Sequence, residues 1–129
     1  MSDIFTVEII TPDKTILKSD ANEVTIPSYE GQMGILRDHI PLITFLRPGV
    51  IFVQNKEEKK YYVEEGTVEF LNNHLLILTS TVKNLIDLNR ESITDLLNAA
   101  ESKLKDDASS DKEKYLLSYK ISTLKEINQ

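Results

Sequence analysis

Apolar and polar residues alternate along the first two-thirds of the chain, which is the period of a β-strand with one buried face. The alternation is clearest at residues 5–10 and 23–26, and further short β-rich runs lie at 50–53, 61–63, 67–71 and 75–79. Turn-forming pairs separate several runs: Asn72-Asn73 suits the positive φ angles of a tight hairpin, and Pro48-Gly49 suits a type II turn. Short strands at this spacing predict an antiparallel sandwich or barrel over residues 1–86.

From about residue 87 the apolar period changes to that of an α-helix. The first apolar stripe is formed by Ile93, Leu96, Leu97, Ala100 and Leu104, and the second by Leu117, Ile121 and Leu124. Asn89 is a suitable N-cap for the first helix, and Ser110 followed by Glu113 fits a capping box for the second. Helices of roughly 15–18 residues are marginal alone in water, so the stripes must pack on each other or on a partner. The predicted fold class is α+β: an N-terminal antiparallel β-sandwich and, at residues 87–129, a C-terminal antiparallel two-helix hairpin.

Composition narrows the class of protein. Of the 129 residues, 40% are hydrophobic and 28% are charged, which is ordinary for a globular domain. The absence of cysteine excludes disulfides, thiol catalysis and thiolate metal sites. The net charge of -6, from 15 basic and 21 acidic residues, argues against binding to nucleic acid. No apolar run is long enough to cross a bilayer, and the first residues lack the layout of a signal or transit peptide.

Candidate catalytic residues are few. His39 and His74 are the only histidines and lie 35 residues apart, without the spacing of metal ligands. Asp38 beside His39 permits a hydrolase hypothesis, but no Gly-x-Ser-x-Gly nucleophile elbow accompanies the pair, and neighbours on a strand point to opposite faces. Glu30 and Asp38 form a further carboxylate pair of unknown separation. Surface or capping roles are the simpler interpretation, so neither an enzyme nor a metal site is expected.

Three neighbouring stretches carry a more specific pattern. They read Glu-Gly-Gln-Met-Gly-Ile-Leu at 30–36, Asp-His-Ile-Pro-Leu-Ile-Thr at 38–44 and Leu-Arg-Pro-Gly at 46–49. In this order and spacing they resemble the ε subunit family of F-type ATP synthases, which carries E-G-x-x-G-I-L-P-G-H-A-P-L-L-T followed by K/R-P-G and which includes the mitochondrial δ subunit. Residues 86–90, Ile-Asp-Leu-Asn-Arg, are similar to the family's I/L-D-x-x-R where the sandwich meets the helices. One departure is Arg37-Asp38, where many members have Pro-Gly, although aspartate still suits a turn.

The resemblance implies a non-catalytic subunit of the rotor's central stalk. In the family the sandwich binds the γ subunit and sits on the membrane-embedded ring of c subunits, at the cytoplasmic face of the bacterial inner membrane. The loop with Glu30, Gly31 and Gly34, together with the nearby segment holding His39 and Pro41, matches the family region that meets the polar loops of the ring. Both glycines are expected to let that loop turn sharply and let another backbone approach. Glu30 is expected to be either a charge that sets the register of the contact or a solvated loop acid.

A regulatory role for the C-terminal hairpin is also implied by the resemblance. In bacterial relatives a compact form lies on the sandwich, while an extended form reaches the catalytic α and β subunits and blocks rotation in the direction of ATP hydrolysis. Lys114 and Lys125 lie eleven residues apart and therefore share one helical face. We expect that face either to meet an acidic surface of a β subunit or to be a solvated charged face.

Some relatives bind ATP at the hairpin. Asp87 and Arg90 match the motif, but Glu91 stands where the family has alanine, and the helices carry no arginine beyond Arg90. Lys120 offers only a point charge in place of a bidentate guanidinium. Asp87 and Arg90 are otherwise expected to cap the first helix and to pair locally. We therefore expect at most a weak regulatory contact with ATP through Asp87 and Arg90, and no other cofactor.

The main alternative is a free-standing sandwich that binds a peptide or a carbohydrate. Such a module needs a concave aromatic patch, and five tyrosines, four phenylalanines and no tryptophan provide little material for one.

Overall fold

A computed structural model describes residues 3–106 and 108–128 of the chain. The strands there are β1 (Phe5–Ile10), β2 (Thr15–Ala21), β3 (Glu23–Ser28), β4 (Gly31–Leu36), β5 (Leu42–Leu46), β6 (Gly49–Gln54), β7 (Glu58–Val63), β8 (Gly66–Leu71), β9 (His74–Leu78) and β10 (Lys83–Asn84). A 3-10 helix at Leu85–Asp87 leads into α1 (Arg90–Leu104) and α2 (Asp111–Ile127). The predicted fold class, a β-sandwich followed by a two-helix hairpin, is confirmed. The domain boundary predicted at residues 86 and 87 falls within the 3-10 helix and stays a prediction.

The strands form one hydrogen-bonded sheet in the order β10-β7-β6-β3-β5-β8-β9-β1-β2, with β4 paired to β3. Pairings among the described strands are antiparallel except for β1 with β9, where Thr6 lies opposite His74 and Ile10 opposite Leu78 in a parallel register. Alternation predicts which face a residue occupies but not the direction of its neighbour, and no hairpin loop joins these two strands. The parallel pair connects the first strand of the sandwich to the last long one.

The two predicted turns have different outcomes. Asn72 and Asn73 have φ angles of 51° and 58°, which confirms the hairpin turn between β8 and β9. Gly49 is the first residue of β6 and is not among the residues with positive φ in the described chain, so the type II turn predicted at Pro48-Gly49 is wrong. A Cβ at Gly49 would lie 2.5 Å from the Cβ of Pro27. Glycine is needed there for space and not for its φ.

The alternating apolar side chains form the core of the sandwich. On β1, Phe5, Val7 and Ile9 are buried, whereas the residues between them are half-buried. Phe5 meets Phe70 of β8 edge to face, with ring centroids 5.6 Å apart. Fully burying one aliphatic side chain of this kind contributes about 1.5–3 kcal/mol, so the core fixes which face of each strand points inward.

Both predicted helix starts are confirmed. Asn89 caps α1 by accepting a hydrogen bond from the backbone N–H of Ser92 at 2.7 Å. Ser110 and Glu113 form the capping box of α2, in which each side chain accepts from the other's backbone N–H. These interactions involve residues three apart in the chain, so local sequence alone specifies them.

The hairpin packs on its own sandwich as well as on itself. Tyr62 of β7 and Leu124 of α2 are fully buried in one cluster, together with the nearly buried Ile93 of α1. Leu96 and Leu97 of the predicted first stripe are half-buried against the same cluster. The structure therefore represents a compact form in which the two helices are docked.

Candidate partner-binding surfaces

The Glu30 turn, residues 28–31, joins β3 to β4 as a tight hairpin. Ser28 organises it, because its hydroxyl donates to the carbonyl oxygen of Gly31 at 2.7 Å and accepts from the backbone N–H of Glu30 at 3.2 Å. Gly31 has a φ of +118°, which side chains rarely adopt, and a Cβ there would meet nothing within 4 Å. Glu30 is therefore presented to solvent by a turn that only glycine completes without strain.

Arg47, from the Arg-Pro-Gly stretch, stabilises the Glu30 turn by hydrogen bonds to the backbone of the turn and of the residue before it. Its Nε donates to the carbonyl oxygen of Ser28 at 2.7 Å, and its backbone N–H donates to Pro27 at 3.0 Å. The guanidinium also lies 3.8 Å from the ring centroid of Tyr119 in α2. One side chain thus contacts both the turn and the docked hairpin.

The structure separates His39 and Pro41 from the Glu30 turn. β4 has six residues and runs from Gly31 to Leu36, so the two segments lie at opposite ends of it, about 16 Å apart at 3.3 Å per residue. The segment expected to be a loop is a strand from Gly31 onward, because residues 31–36 all pair with β3. Gly34 pairs with Thr25 inside that strand, so the expected turn role holds for Gly31 alone.

The His39 segment is a turn closed by the backbone N–H of His39, which donates to Leu36 at 3.1 Å. Asp38 has a φ of 65°, its backbone N–H donates to the Asn73 side chain, and its carboxylate accepts from that same side chain. His39 Nδ1 lies 2.7 Å from its neighbour's carbonyl oxygen at Ile40, and the ring meets Phe70 edge to face. Asp38 and His39 therefore have separate partners and do not form the dyad of the hydrolase hypothesis.

An apolar surface that the sequence analysis missed lies on the outer face of the sheet from β5 through β8 and β9 to β1, and its members are Ile10, Ile43, Phe45, Leu76 and Leu78. Ile10 pairs directly with Leu78, whereas Thr67 of β8 lies between Leu78 and Phe45, and Glu69 of β8 lies between Leu76 and Ile43. Ile43 is 76% exposed, Phe45 58% and Leu78 44%. The signal was present in β5, Leu-Ile-Thr-Phe-Leu, where apolar residues occupy positions on both faces. Large exposed apolar side chains grouped on one face, with polar residues among them, are typical of interaction sites.

The apolar surface continues toward the Glu30 turn. A cleft of about 810 Å³ is lined by Phe45 and Leu78 of this surface and also by Tyr29 of the turn and Lys112 of α2. At the opposite rim, His74 Nε2 lies 2.7 Å from a carboxylate oxygen of Glu8. The apolar surface is thus bordered by polar and charged groups, as protein interfaces are.

A polar contact holds α2 beside β7. Lys120 Nζ lies 3.1 Å from Glu64 Oε2, and the hydroxyl of Tyr62 donates to the same oxygen at 3.1 Å. Burial, and secondarily the charge of Glu64, raises the pKa of Tyr62 well above its usual value, so the hydroxyl stays protonated and remains a donor. Lys120, considered as a substitute phosphate ligand, is therefore already paired.

The two lysines that were expected to share one helical face both lie on α2, but they differ in exposure. Lys114 is half-buried and Lys125 is exposed. Neither forms an ion pair within the described part of the chain. Their charges remain available to another molecule.

Asp87 and Arg90 flank the start of α1 without pairing. Asp87 ends the 3-10 helix, Arg90 is the first residue of α1, and Asn89 between them provides the cap. No ion pair joins the two within residues 3–106, so the local pairing expected from the sequence does not form. Asp87 lines a cleft of about 600 Å³ with Lys14 and Lys83, and Arg90 is not among its lining residues.

Neither a cluster of metal-binding side chains nor a membrane-spanning helix is present among the described residues. No group of three or more His, Asp or Glu side chains there is placed to hold a metal ion. None of the described helices combines the length and the apolar character required to cross a membrane.

Comparisons with known proteins agree on one family. The model of the β-sandwich domain of the ATP synthase Delta/Epsilon chain matches residues 4–84. The ATP synthase epsilon chain of Pelagibacter ubique is 47% identical over 130 residues, covering 99% of this chain and 100% of that relative.

Two solved structures share the fold. A chain in the Euglena gracilis mitochondrial ATP synthase, solved with OSCP, F1 and the c-ring, has a TM-score of 0.83 at 20% identity and covers 100% of this chain and 84% of its own. One in the central stalk and c-ring of the Tetrahymena thermophila enzyme has a TM-score of 0.69 at 16% identity, with 96% of each chain covered.

Proposed function

The chain belongs to the ATP synthase Delta/Epsilon chain family, and we propose that it is a non-catalytic subunit of the rotor's central stalk in a proton-translocating F-type ATP synthase. Support comes from the full-length match to an ATP synthase epsilon chain and from the shared fold with a chain of a solved central stalk. The proposed task is to couple the γ subunit to the ring of c subunits and to restrain ATP hydrolysis.

The apolar surface is the observation that carries the coupling proposal. Ile43 and Phe45 project from the middle of a strand whose other face is already in the core, so their exposure has no use in the isolated fold. Burial of such residues against another protein is the main favourable term in association. We assign this surface to the γ subunit.

His39 and Pro41 belong with that surface and not with the Glu30 turn. Pro41 directly precedes β5, and Ile40 beside it is 75% exposed, so the segment extends the apolar surface at one end. We propose that His39 and Pro41 contact the γ subunit at its border.

The Glu30 turn is proposed to contact the polar loops of the c-subunit ring. Its backbone is held by Ser28 and Arg47, and the Glu30 carboxylate is free to accept hydrogen bonds or pair with a basic group. A rim charge of this kind fixes orientation more than affinity. The chain would then lie peripherally at the cytoplasmic face of the bacterial inner membrane, held there by the complex.

We propose that the hairpin regulates hydrolysis by leaving its docked position. Docking buries only a few large side chains, with Tyr62 and Leu124 at the centre, so it is easily reversed. In an extended position Lys114 and Lys125 would be available to acidic groups of the catalytic α and β subunits. ATP has little to bind at Asp87 and Arg90, because Lys120 is engaged by Glu64 and Arg90 lies outside the nearby cleft.

The proposal is tested by purifying the tagged chain from detergent-solubilised membranes of its own cells and identifying what accompanies it by mass spectrometry. Recovery of γ, c, α and β subunits is the expected result. A chain recovered without these subunits, from membranes whose ATP synthase is intact, would contradict it and favour a free-standing binding module.

A further inference from the structure

The Glu30 turn and α2 are joined by two connections that run side by side. In the first, Arg47 donates to the carbonyl oxygen of Ser28 while its guanidinium lies against the ring of Tyr119. In the second, Tyr29 of the turn meets Tyr115 of α2 edge to face, with ring centroids 6.5 Å apart. Tyr115 and Tyr119 are one helical turn apart on α2, so both connections end on the same face of the helix.

The two connections also contact each other. The rings of Tyr115 and Tyr119 are edge to face with centroids 4.9 Å apart. A continuous row of planar groups therefore runs from Arg47 through Tyr119 and Tyr115 to Tyr29. Such contacts are directional as well as attractive, so the row specifies the orientation of the turn relative to the helix.

The outer end of the row is a surface shared by the turn and the hairpin. Tyr29 is 42% exposed, Tyr115 is 43% exposed, and the exposed Glu30 directly follows Tyr29 in the chain. A carboxylate with two adjacent tyrosines suits a polar loop that offers amide or basic groups and a flat contact. When the hairpin leaves the sandwich, Tyr115 leaves this surface and Arg47 loses its contact with Tyr119.

We propose that docking of the hairpin and binding of a partner at the Glu30 turn are linked, because α2 both supports the turn through Arg47 and contributes Tyr115 to the contact surface. By reciprocity, a partner bound at the turn favours the docked hairpin, and undocking of the hairpin weakens the binding of that partner by the same factor. The partner is a polar loop of the c-subunit ring, an identification that rests on the proposed function. Contact with the ring then opposes release of the inhibitory hairpin.

The link within the chain is tested first, without any partner, in the full-length protein. The backbone amides of Tyr29 and Glu30 are hydrogen-bonded to Phe45 and to Ser28, so their hydrogen exchange reports on the turn. With both Tyr115→Leu and Tyr119→Leu present, we expect exchange at these amides to become about fivefold faster or more. The amide of His39, at the far end of β4, should not change.

Two further variants serve as controls. One changes α2 away from the turn, and the other removes the Arg47 contacts directly. Ser118→Ala alters an exposed α2 residue whose hydroxyl donates within the helix, to the carbonyl oxygen of Lys114, and should leave the turn unchanged. Arg47→Lys keeps the positive charge but removes both the planar group and the Nε–H that donates to Ser28, and should speed exchange at the turn. Unchanged exchange at Tyr29 and Glu30 in the Tyr115 and Tyr119 variant would overturn the link, whether or not α2 stays docked.

The partner is tested with purified c-subunit rings in detergent. The wild-type chain should bind, and Tyr115→Leu, which leaves the turn sequence intact, should bind about fivefold more weakly. Equal binding would overturn the shared surface. Absence of any wild-type binding would overturn the ring as partner and the corresponding part of the proposed function, while the exchange result would still decide the link within the chain.

Discussion

Asp38 and Asn73 exchange two hydrogen bonds, although each residue lies in left-handed backbone. The N–H of Asp38 donates to Asn73 Oδ1 at 2.6 Å, and Asn73 Nδ2 donates to Asp38 Oδ1 at 2.9 Å. Their φ angles are 65° and 58°. The pair connects the turn after β4 to the turn between β8 and β9, and it explains how aspartate is accommodated at a left-handed position.

Substitution of Asp38 separates the backbone effect from the hydrogen bond. Asp38→Ala should lower the free energy of unfolding by about 2 kcal/mol. Alanine cannot accept the hydrogen bond from Asn73 Nδ2, and a positive φ is strained for it. Asp38→Gly should cost about 1 kcal/mol, since glycine adopts that φ freely, and Asp38→Asn should cost little. Urea unfolding of the three variants measures this, and equal losses for alanine and glycine would show that backbone strain is unimportant here.

The parts of the fold that depend on nearby residues were predictable from the sequence. The caps at Asn89 and Ser110 and the hairpin turn at Asn72-Asn73 each involve residues within three positions, and all three are confirmed. The two glycines at 31 and 34 suggested a loop, whereas pairing with β3 makes the segment a strand. That pairing decides that Glu30 and His39 lie at opposite ends, and it depends on a neighbour's register.

The surfaces were less predictable than the core. Alternation shows that one face of β5 points outward, but it does not show that Ile43 and Phe45 remain uncovered, because a helix or another strand could pack on them. The contact between Arg47 and Tyr119 joins residues from the two halves of the chain. Only the position at which the hairpin docks brings them together.

Two glycines provide a matched test of steric space. A Cβ at Gly49 would lie 2.5 Å and 2.8 Å from side-chain atoms of Pro27, so Gly49→Ala should destabilise the protein by about 1–3 kcal/mol. At Gly34 the nearest atom is a flexible Glu23 oxygen at 3.4 Å, so Gly34→Ala should be neutral or slightly stabilising. Thermal unfolding of both variants decides it, and a larger loss for Gly34→Ala would contradict the argument.

The raised pKa of Tyr62 predicts a loss of stability at high pH. Burial, with the Glu64 charge, keeps Tyr62 protonated in the folded protein, whereas the unfolded residue ionises near its ordinary pKa of 10.0. The stabilisation is therefore complete below about pH 10 and is lost as the pH rises above it. Tyr62→Phe removes this contribution, so the difference in unfolding free energy between wild type and variant should shrink from pH 9 to about pH 11. Parallel curves of unfolding free energy against pH for the two proteins would refute the assignment. Burial also raises the pKa of Tyr61, but Tyr61 is present in both proteins, so its contribution cancels in the difference.

The apolar surface should be required for assembly and not for folding. Phe45→Glu places a charge on a side chain that is 58% exposed, so the isolated chain should fold normally. In the complex the carboxylate would be buried without a partner, and affinity for the γ subunit should fall about a hundredfold. Ile86→Glu, at a residue that is 87% exposed near the hairpin, is the control and should bind normally. Equal binding by both variants would exclude the apolar surface as the γ site.

Two changes to the hairpin should affect ATP hydrolysis in opposite directions. Removal of all residues after Leu88 deletes both helices and should raise hydrolysis by the assembled complex, because no element remains to block rotation. Lys120→Glu instead keeps the helices but replaces the ammonium group, which lies 3.1 Å from Glu64 Oε2, with a second carboxylate. Repulsion between the two carboxylates weakens the docked form, so hydrolysis should fall. Adding Glu64→Lys to Lys120→Glu restores an opposite-charge pair and should return hydrolysis towards the wild-type rate. Steady-state hydrolysis by reconstituted complexes measures all three. If the deletion and the charge reversal shift the rate in the same direction, inhibition by an undocked hairpin is wrong.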